Sequence, residues 1–240
     1  MRGENLLFED GLRMNIQKMS VWGPVCLTLG LLAGFAGPAG AGTIVGSKHD
    51  FTNSGFTGGQ ICVVCHTPHN ADISVTDAPL WNHTLSTQTY LLYSSPTLDA
   101  IPVQPSASSK LCLSCHDGTV AVDSFGGQPG GAFNLGGDVA VGAGPEGLSD
   151  DHPISFTYDT ALASLDAGLH DPATTQVIIG EGDKTKGPDS IANLLLFNGT
   201  LQCASCHDVH NNFTALPAPG DNLLKVSLNG SQLCLTCHDK

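Results

Sequence analysis

The sequence predicts a mostly irregular chain of short helices and small hairpins, wrapped around bound groups rather than around an ordinary side-chain core. Three observations lead there. Cys-x-x-Cys-His occurs four times, as Cys62-Cys65-His66, Cys112-Cys115-His116, Cys203-Cys206-His207 and Cys234-Cys237-His238. Gly supplies nine of the 22 residues from Gly126 to Gly147, a composition that makes loop. Large apolar side chains are too few for a conventional core, so something else must fill the interior.

Each motif has the pattern of a covalent attachment site for a c-type haem. Two thiols add to the two vinyl groups on one porphyrin edge, and the following His lies under the ring with its imidazole on the iron. The spacing is short because both thioethers and the His serve one macrocycle from a single turn. Two Cys-x-x-Cys pairs can also share a tetrahedral zinc, and eight thiols in an exported chain can form four disulfides. Neither alternative requires His after the second Cys, so the motifs imply four haem c, with iron the metal.

From the N-terminus onward, residues 1–41 read as a signal peptide. Lys18 precedes an apolar run from Val21 to Ala36, and Ala39-Gly40-Ala41 is a cleavage signature that starts the mature chain at Gly42. The run is short and Gly-rich for a membrane anchor. Cys26 is not in a lipoprotein box and leaves with the leader, and Met14 or Met19 would begin a more ordinary signal peptide. Export suits haem c, which is attached outside the cytoplasm, and leaves the cell exterior, the outer surface or the periplasm as destinations.

Residues 42–125 form a first dihaem unit, 126–150 a Gly-rich linker and 151–240 a second dihaem unit. An internal duplication divides the chain this way. Cys-Val-Val-Cys-His66-Thr-Pro-His69-Asn70 parallels Cys-Ala-Ser-Cys-His207-Asp-Val-His210-Asn211. Leu111-Cys-Leu-Ser-Cys-His116-Asp117 parallels Leu233-Cys-Leu-Thr-Cys-His238-Asp239. Each half opens on a His with a nearby Phe, His49 with Phe51 and His152 with Phe156. Within the second unit, Leu162, Leu165 and Leu169 share a face and predict a short helix over 159–169. Asn198-Gly199, between Leu194-Leu195-Leu196-Phe197 and Thr200-Leu201, and Asn229-Gly230, between Val226-Ser227-Leu228 and Ser231-Gln232-Leu233, predict tight hairpins. A short helix is expected at every attachment motif.

The sixth iron ligands come from six further His: His49, His69, His83, His152, His170 and His210. His69 and His210 each follow a proximal His by three residues. The porphyrin stands between such a residue and the far face of the same ring, so it reaches the next haem instead. The duplication nominates His152 and His49 next. His83 ranks after these, beside Trp81, which can pack on a ring, with a surface or second-layer role as its alternative. His170 sits in a polar loop and faces solvent. All three Met lie before residue 42, which removes the common alternative ligand and points to bis-His iron at low potential.

Beyond residue 41 there is no Arg, and six Lys stand against 19 acidic residues. That excess argues against nucleic acid or anionic lipid as partners. The charge also has a plainer reading, as what keeps an exported protein soluble.

Through Cys-His-Thr-Pro-His-Asn at Cys65–Asn70, Leu-Cys-Leu-Ser-Cys-His-Asp-Gly at Leu111–Gly118 and the paired copies after Leu201, the chain resembles the small multihaem c-type cytochromes of dissimilatory metal-reducing bacteria. Within that group it is most similar to tetrahaem outer-surface cytochromes that polymerise into extracellular nanowires. The resemblance covers nearly the whole mature chain. It implies the fold class of a multihaem cytochrome c, with little regular structure wrapped around four stacked bis-His haems. It also implies a homopolymer in which one distal His is donated by the neighbouring subunit. His49, seven residues after the predicted mature start, is the natural donor, although it can equally fold back onto its own unit as His152 does.

Three functions compete. The first is an electron carrier or wire, taking electrons from other multihaem cytochromes and passing them to an extracellular metal oxide or similar acceptor. The second is a periplasmic shuttle or a component of an outer-membrane conduit. The third is a multihaem redox enzyme, which needs an open iron position and acid/base groups around it. Distal His candidates outnumber the motifs, so the chain reads as a carrier and not an enzyme, with no catalytic residues.

Overall fold

The computed structural model describes residues 44–131, 133–180, 185–213 and 223–239. The expected signal peptide and Cys26 lie outside the described residues. Regular structure is sparse and is built where capping or pairing allows it. Helix α1, Ala107–His116, carries the second motif. Helix α2, Thr160–Leu165, starts at Asp159, whose side chain accepts the backbone N–H of Leu162, the usual device for satisfying a first turn. It stops at Asp166, short of the expected 169, and leaves Leu165 exposed. Helices α3, Ile191–Leu194, α4, Cys203–Cys206, and α5, Gln232–Cys237, complete the set. Motifs two, three and four therefore lie on helices. The first motif is a single turn, closed by His66 N–H donating to the Cys62 carbonyl at 2.9 Å.

Among the described residues, four strands make two small antiparallel pairs. Strand β1, Phe156–Thr157, pairs with β4, Thr200–Leu201, in the register Phe156 opposite Leu201. Strand β2, Gln176–Ile179, pairs with β3, Lys186–Ser190, with a register shift between Val177 and Ile179. The alternate residues Val177 and Ile179 face inward, as a half-buried strand requires. Among the described residues, no helix is long and apolar enough to cross a membrane.

The two Asn-Gly sites diverge. Asn198 and Gly199 both take positive φ, and Phe197 and Thr200 exchange both backbone hydrogen bonds at 3.0 Å, a tight primed turn. Its incoming arm is the helix α3, so Thr200–Leu201 pairs with β1 instead of folding back along residues 194–196. The second site corrects the expected hairpin. Asn229–Ser231 is a 3-10 turn that runs directly into α5, and positive φ at Gly230 and Ser231 sets the entry angle.

A side-chain core does exist, and it belongs to the second half. Phe156, Tyr158, Val177, Ile179, Ile191, Leu194, Leu195, Leu201 and Val226 are buried together. The first half has only two small clusters, Val75 with Trp81 and Leu111, and Tyr90 with Leu113 and Leu148. Composition averaged over the chain hid this asymmetry.

Residues 126–150 are docked on the first half. Leu148 N–H donates to the Leu91 carbonyl at 2.8 Å, and Val122 N–H to the Phe133 carbonyl at 2.8 Å. Gly147 has φ +59°, and a Cβ there would stand 2.7 Å from the Leu91 nitrogen. Only glycine permits this approach.

Candidate functional site

The first motif is held by the segment C-terminal to it. Asn82 N–H donates to the Cys65 carbonyl at 3.0 Å, and the Asn82 side chain donates to the Val63 carbonyl at 2.5 Å. His66 Nδ1 lies 2.5 Å from the Pro79 carbonyl oxygen. A carbonyl only accepts, so Nδ1 carries the proton and the Nε2 lone pair is left for a metal. The His66 ring faces that of His210, with centres 6.1 Å apart and planes 16° from parallel.

The same construction recurs at the second motif. Helix α1 buries Leu111, Leu113 and Ser114 and turns Cys112 and Cys115 to a half-open side. His116 Nδ1 lies 2.8 Å from the Val139 carbonyl, an oxygen supplied by the docked Gly-rich segment. The ring partner is His49, centres 5.9 Å apart. His49 buries its Nδ1 with no hydrogen-bond partner. Burial first, and then the neighbouring His116, His207 and His210, push its pKa down to about 4. Such a ring is neutral at pH 7 and offers a lone pair.

Helix α4 presents the third motif. Gln202 and Ser205 form a reciprocal cap, and Ser109 of α1 donates to Gln202 Oε1 at 2.5 Å while accepting the Cys203 N–H at 3.0 Å. Ser109 is fully buried, so α1 and α4 are joined by satisfied polar contacts. Their first cysteines meet: the Cys112 thiol donates to Cys203, raising its own pKa and lowering that of Cys203. His207 lies close enough to act electrostatically on His49.

The fourth motif closes on the α2 region. His170 N–H donates to the Cys237 carbonyl at 2.8 Å, and Asp239 N–H to the Gly168 carbonyl at 2.9 Å. The ring of His238 stands 6.4 Å from that of His152, whose Nδ1 is 2.9 Å from the Pro153 carbonyl.

Three motif His thus meet one non-motif His each: His66 with His210, His116 with His49, and His238 with His152. A porphyrin supplies four of six iron ligands, so the protein has only to bring two imidazoles together. With metal–nitrogen bonds of about 2 Å, two trans imidazoles have ring centres roughly 6 Å apart. The observed 5.9, 6.1 and 6.4 Å fit that group. Ordinary aromatic contacts span these separations too. What distinguishes these pairs is that each joins one motif His to one non-motif His. A zinc site built from side chains would instead gather three or four ligands. Among the described residues no cluster of three or more His, Cys, Asp or Glu does so, and the eight motif cysteines are free thiols.

The remaining His differ. His69 is exposed, beside the Thr67 hydroxyl that donates to its carbonyl. His170 is half-buried, with its backbone tied to the fourth motif. His83, the last-ranked of the expected iron ligands, is buried. It is 2% exposed, with Nδ1 2.8 Å from the Thr84 carbonyl and Nε2 3.0 Å from the Ala121 carbonyl. Both nitrogens are turned to acceptors, and Nε2 is 3.4 Å from Cys115 Sγ. His83 thus packs against the Cys115 thiol of the second motif. The His49 ring, the expected donor to a neighbouring subunit, is packed against His116 of its own chain.

Asp117 was missed by motif reading, although an acidic residue follows the His in three of the four motifs. It is 2% exposed and accepts from Ser86, Tyr90, and the Thr119 N–H and hydroxyl. Burial alone would raise its pKa, but the hydrogen bonds from Ser86, Thr119 and Tyr90 outweigh that and hold it below the ordinary carboxylate value. The carboxylate pins the residue next to His116.

No protein-family model matches the sequence, and no curated protein is significantly similar to it.

Proposed function

We propose that this protein is an exported tetrahaem c-type cytochrome that carries electrons through bis-His haems in extracellular electron transfer to metals or similar external acceptors. The observation that carries the reading is the pairing of His66, His116 and His238 with a second imidazole at the separation one intervening iron sets. The cysteines Cys62, Cys65, Cys112, Cys115, Cys203, Cys206, Cys234 and Cys237 are the attachment points. His66, His116, His207 and His238 are the proximal ligands; His210, His49 and His152 are distal to three of them, and His69 is the distal candidate for the iron on His207. Bound haem supplies one-electron reduction and reoxidation at iron. The chain's own residues do the rest. Pro79 and Val139 fix the tautomer and orientation of two proximal imidazoles through their carbonyls, and Asp117, Ser109 and Gln202 hold the attachment turns rigid.

Intact-mass spectrometry of the exported protein tests this reading, together with a native spectrum. Four haems per chain, all low-spin, are expected. Zinc, or fewer than four haems on matured protein, overturns it, and a high-spin iron that binds cyanide readily points to an enzyme instead.

A further inference from the structure

Lys225 is a lysine placed where lysines are rarely found. It is 9% exposed, whereas Lys48 and Lys186 are on the surface. The backbone fixes it there. Residues 223–225 run antiparallel to the third motif: Asp208 N–H donates to the Leu223 carbonyl at 2.7 Å, and Lys225 N–H to the Cys206 carbonyl at 2.8 Å. On the other side the Lys225 carbonyl accepts the Gly180 N–H at 2.7 Å, just beyond β2. The side chain folds over the Phe197 ring, with Nζ 5.2 Å from its centre.

Among the described residues, no carboxylate lies within ion-pairing distance of this ammonium, and the one ion pair formed is His210 with Asp208. Asp208 is the nearby acid, but its oxygens are turned elsewhere. Oδ1 accepts the His210 N–H at 3.1 Å, and Oδ2 the Asn212 N–H at 2.7 Å. Burial pulls the Lys225 ammonium below the ordinary lysine value, with Asp208 opposing. Burying an ammonium is costly unless an anion meets it, and a ring face offsets only part of that. Resting on the functional reading above, the haem propionates, two on each macrocycle, supply such an anion, in a chain with six Lys and no Arg beyond residue 41.

We propose that the Lys225 ammonium is the counter-ion of a haem propionate beside the third attachment motif, Cys203–His207. A fixed positive charge near a haem favours the reduced iron, so this lysine sets one of the four potentials.

The test uses holoprotein whose four haems have been verified by mass. In Lys225→Met, one of the four reduction steps moves to lower potential and the other three stay; Lys225→Arg keeps all four near their original positions. Four unchanged steps in Lys225→Met overturn the proposal. Should that variant yield no holoprotein, the wild-type chain decides, with its lysine Nζ labelled with nitrogen-15 and its haem propionates labelled with carbon-13. A nitrogen–carboxylate correlation present in wild type and lost in Lys225→Arg supports the pairing, and an identical set of correlations in both overturns it. A chain carrying no haem overturns the functional reading and this inference with it, whereas four haems with unchanged steps overturns this inference alone.

Discussion

At the residue scale, the second attachment site depends on His49. On the proposed haem reading, its buried, unpartnered ring nitrogen and its 5.9 Å separation from His116 favour it as the group that completes one iron within its own chain. His49→Ala should therefore keep four covalent haems and convert one to a high-spin, cyanide-binding form, read in the native spectrum. A filament lost with all monomer haems still low-spin would instead assign His49 to a neighbouring subunit. Asp117 gives a pH prediction. Its folded pKa is depressed below the ordinary 3.8, so an unfolded chain takes the proton first. The carboxylate's contribution is complete above that value and fades as pH falls through the folded one. Asp117→Asn should lower stability at neutral pH and flatten its fall below about pH 4 in denaturant titrations. The four Cys-x-x-Cys-His motifs stand out in sequence because their spacing is a local pattern. Asp117 and Lys225 do not, because their burial is decided by Ser86, Tyr90 and Phe197, which lie far away along the chain.

At the scale of elements, α1 and α4 form one block although 86 residues separate His116 from Cys203. Ser109 makes that joint, donating to Gln202 and accepting from Cys203 N–H. Ser109→Ala leaves the buried Cys203 N–H without its acceptor and takes from Gln202 Oε1 one of its two donors, Ser155 Oγ being the other. It should cost about 1–3 kcal/mol in chemical denaturation, with haem content unchanged. The Gly-rich segment matters for a related reason. Its docking brings the Val139 carbonyl to His116, and Gly147 is one tight joint, with a positive φ and the Leu91 nitrogen 2.7 Å from where a Cβ would stand. Gly147→Ala should cost more than about 1 kcal/mol and broaden the spectrum of the haem on His116 alone. Composition identified this stretch as loop, but a glycine that permits a turn and one that permits close packing look the same in sequence. Asn229-Gly230 carried a hairpin signal for a similar reason, since hairpins and helix entries share their turn chemistry. The attachment helix α5, starting two residues later, decided the outcome.

At the scale of the whole molecule, the duplication describes the history of the halves better than their present independence. Two of the three His pairs stay within a half, His49 with His116 and His152 with His238. The third, His66 with His210, crosses from one half to the other. A His three residues beyond a proximal ligand must serve another ring, because the porphyrin's own bulk blocks the nearer one. Which ring it serves depends on how α1 packs on α4, and no local pattern in the chain encodes that. The described residues from 44 onward accordingly fall within one unit, Pro38–Lys240, and not two.

A crossed ligand has a measurable consequence. His210→Ala sits beside the third motif but should disturb the haem of the first. All four haems should remain attached, one should become high-spin, and its identity can be read by a double-variant comparison. In a Cys62→Ala/Cys65→Ala background, which lacks the first haem, His210→Ala should produce no high-spin signal, because the iron it serves is already gone. If the high-spin signal persists there, His210 serves a haem of its own half, and the two halves are separate dihaem modules after all.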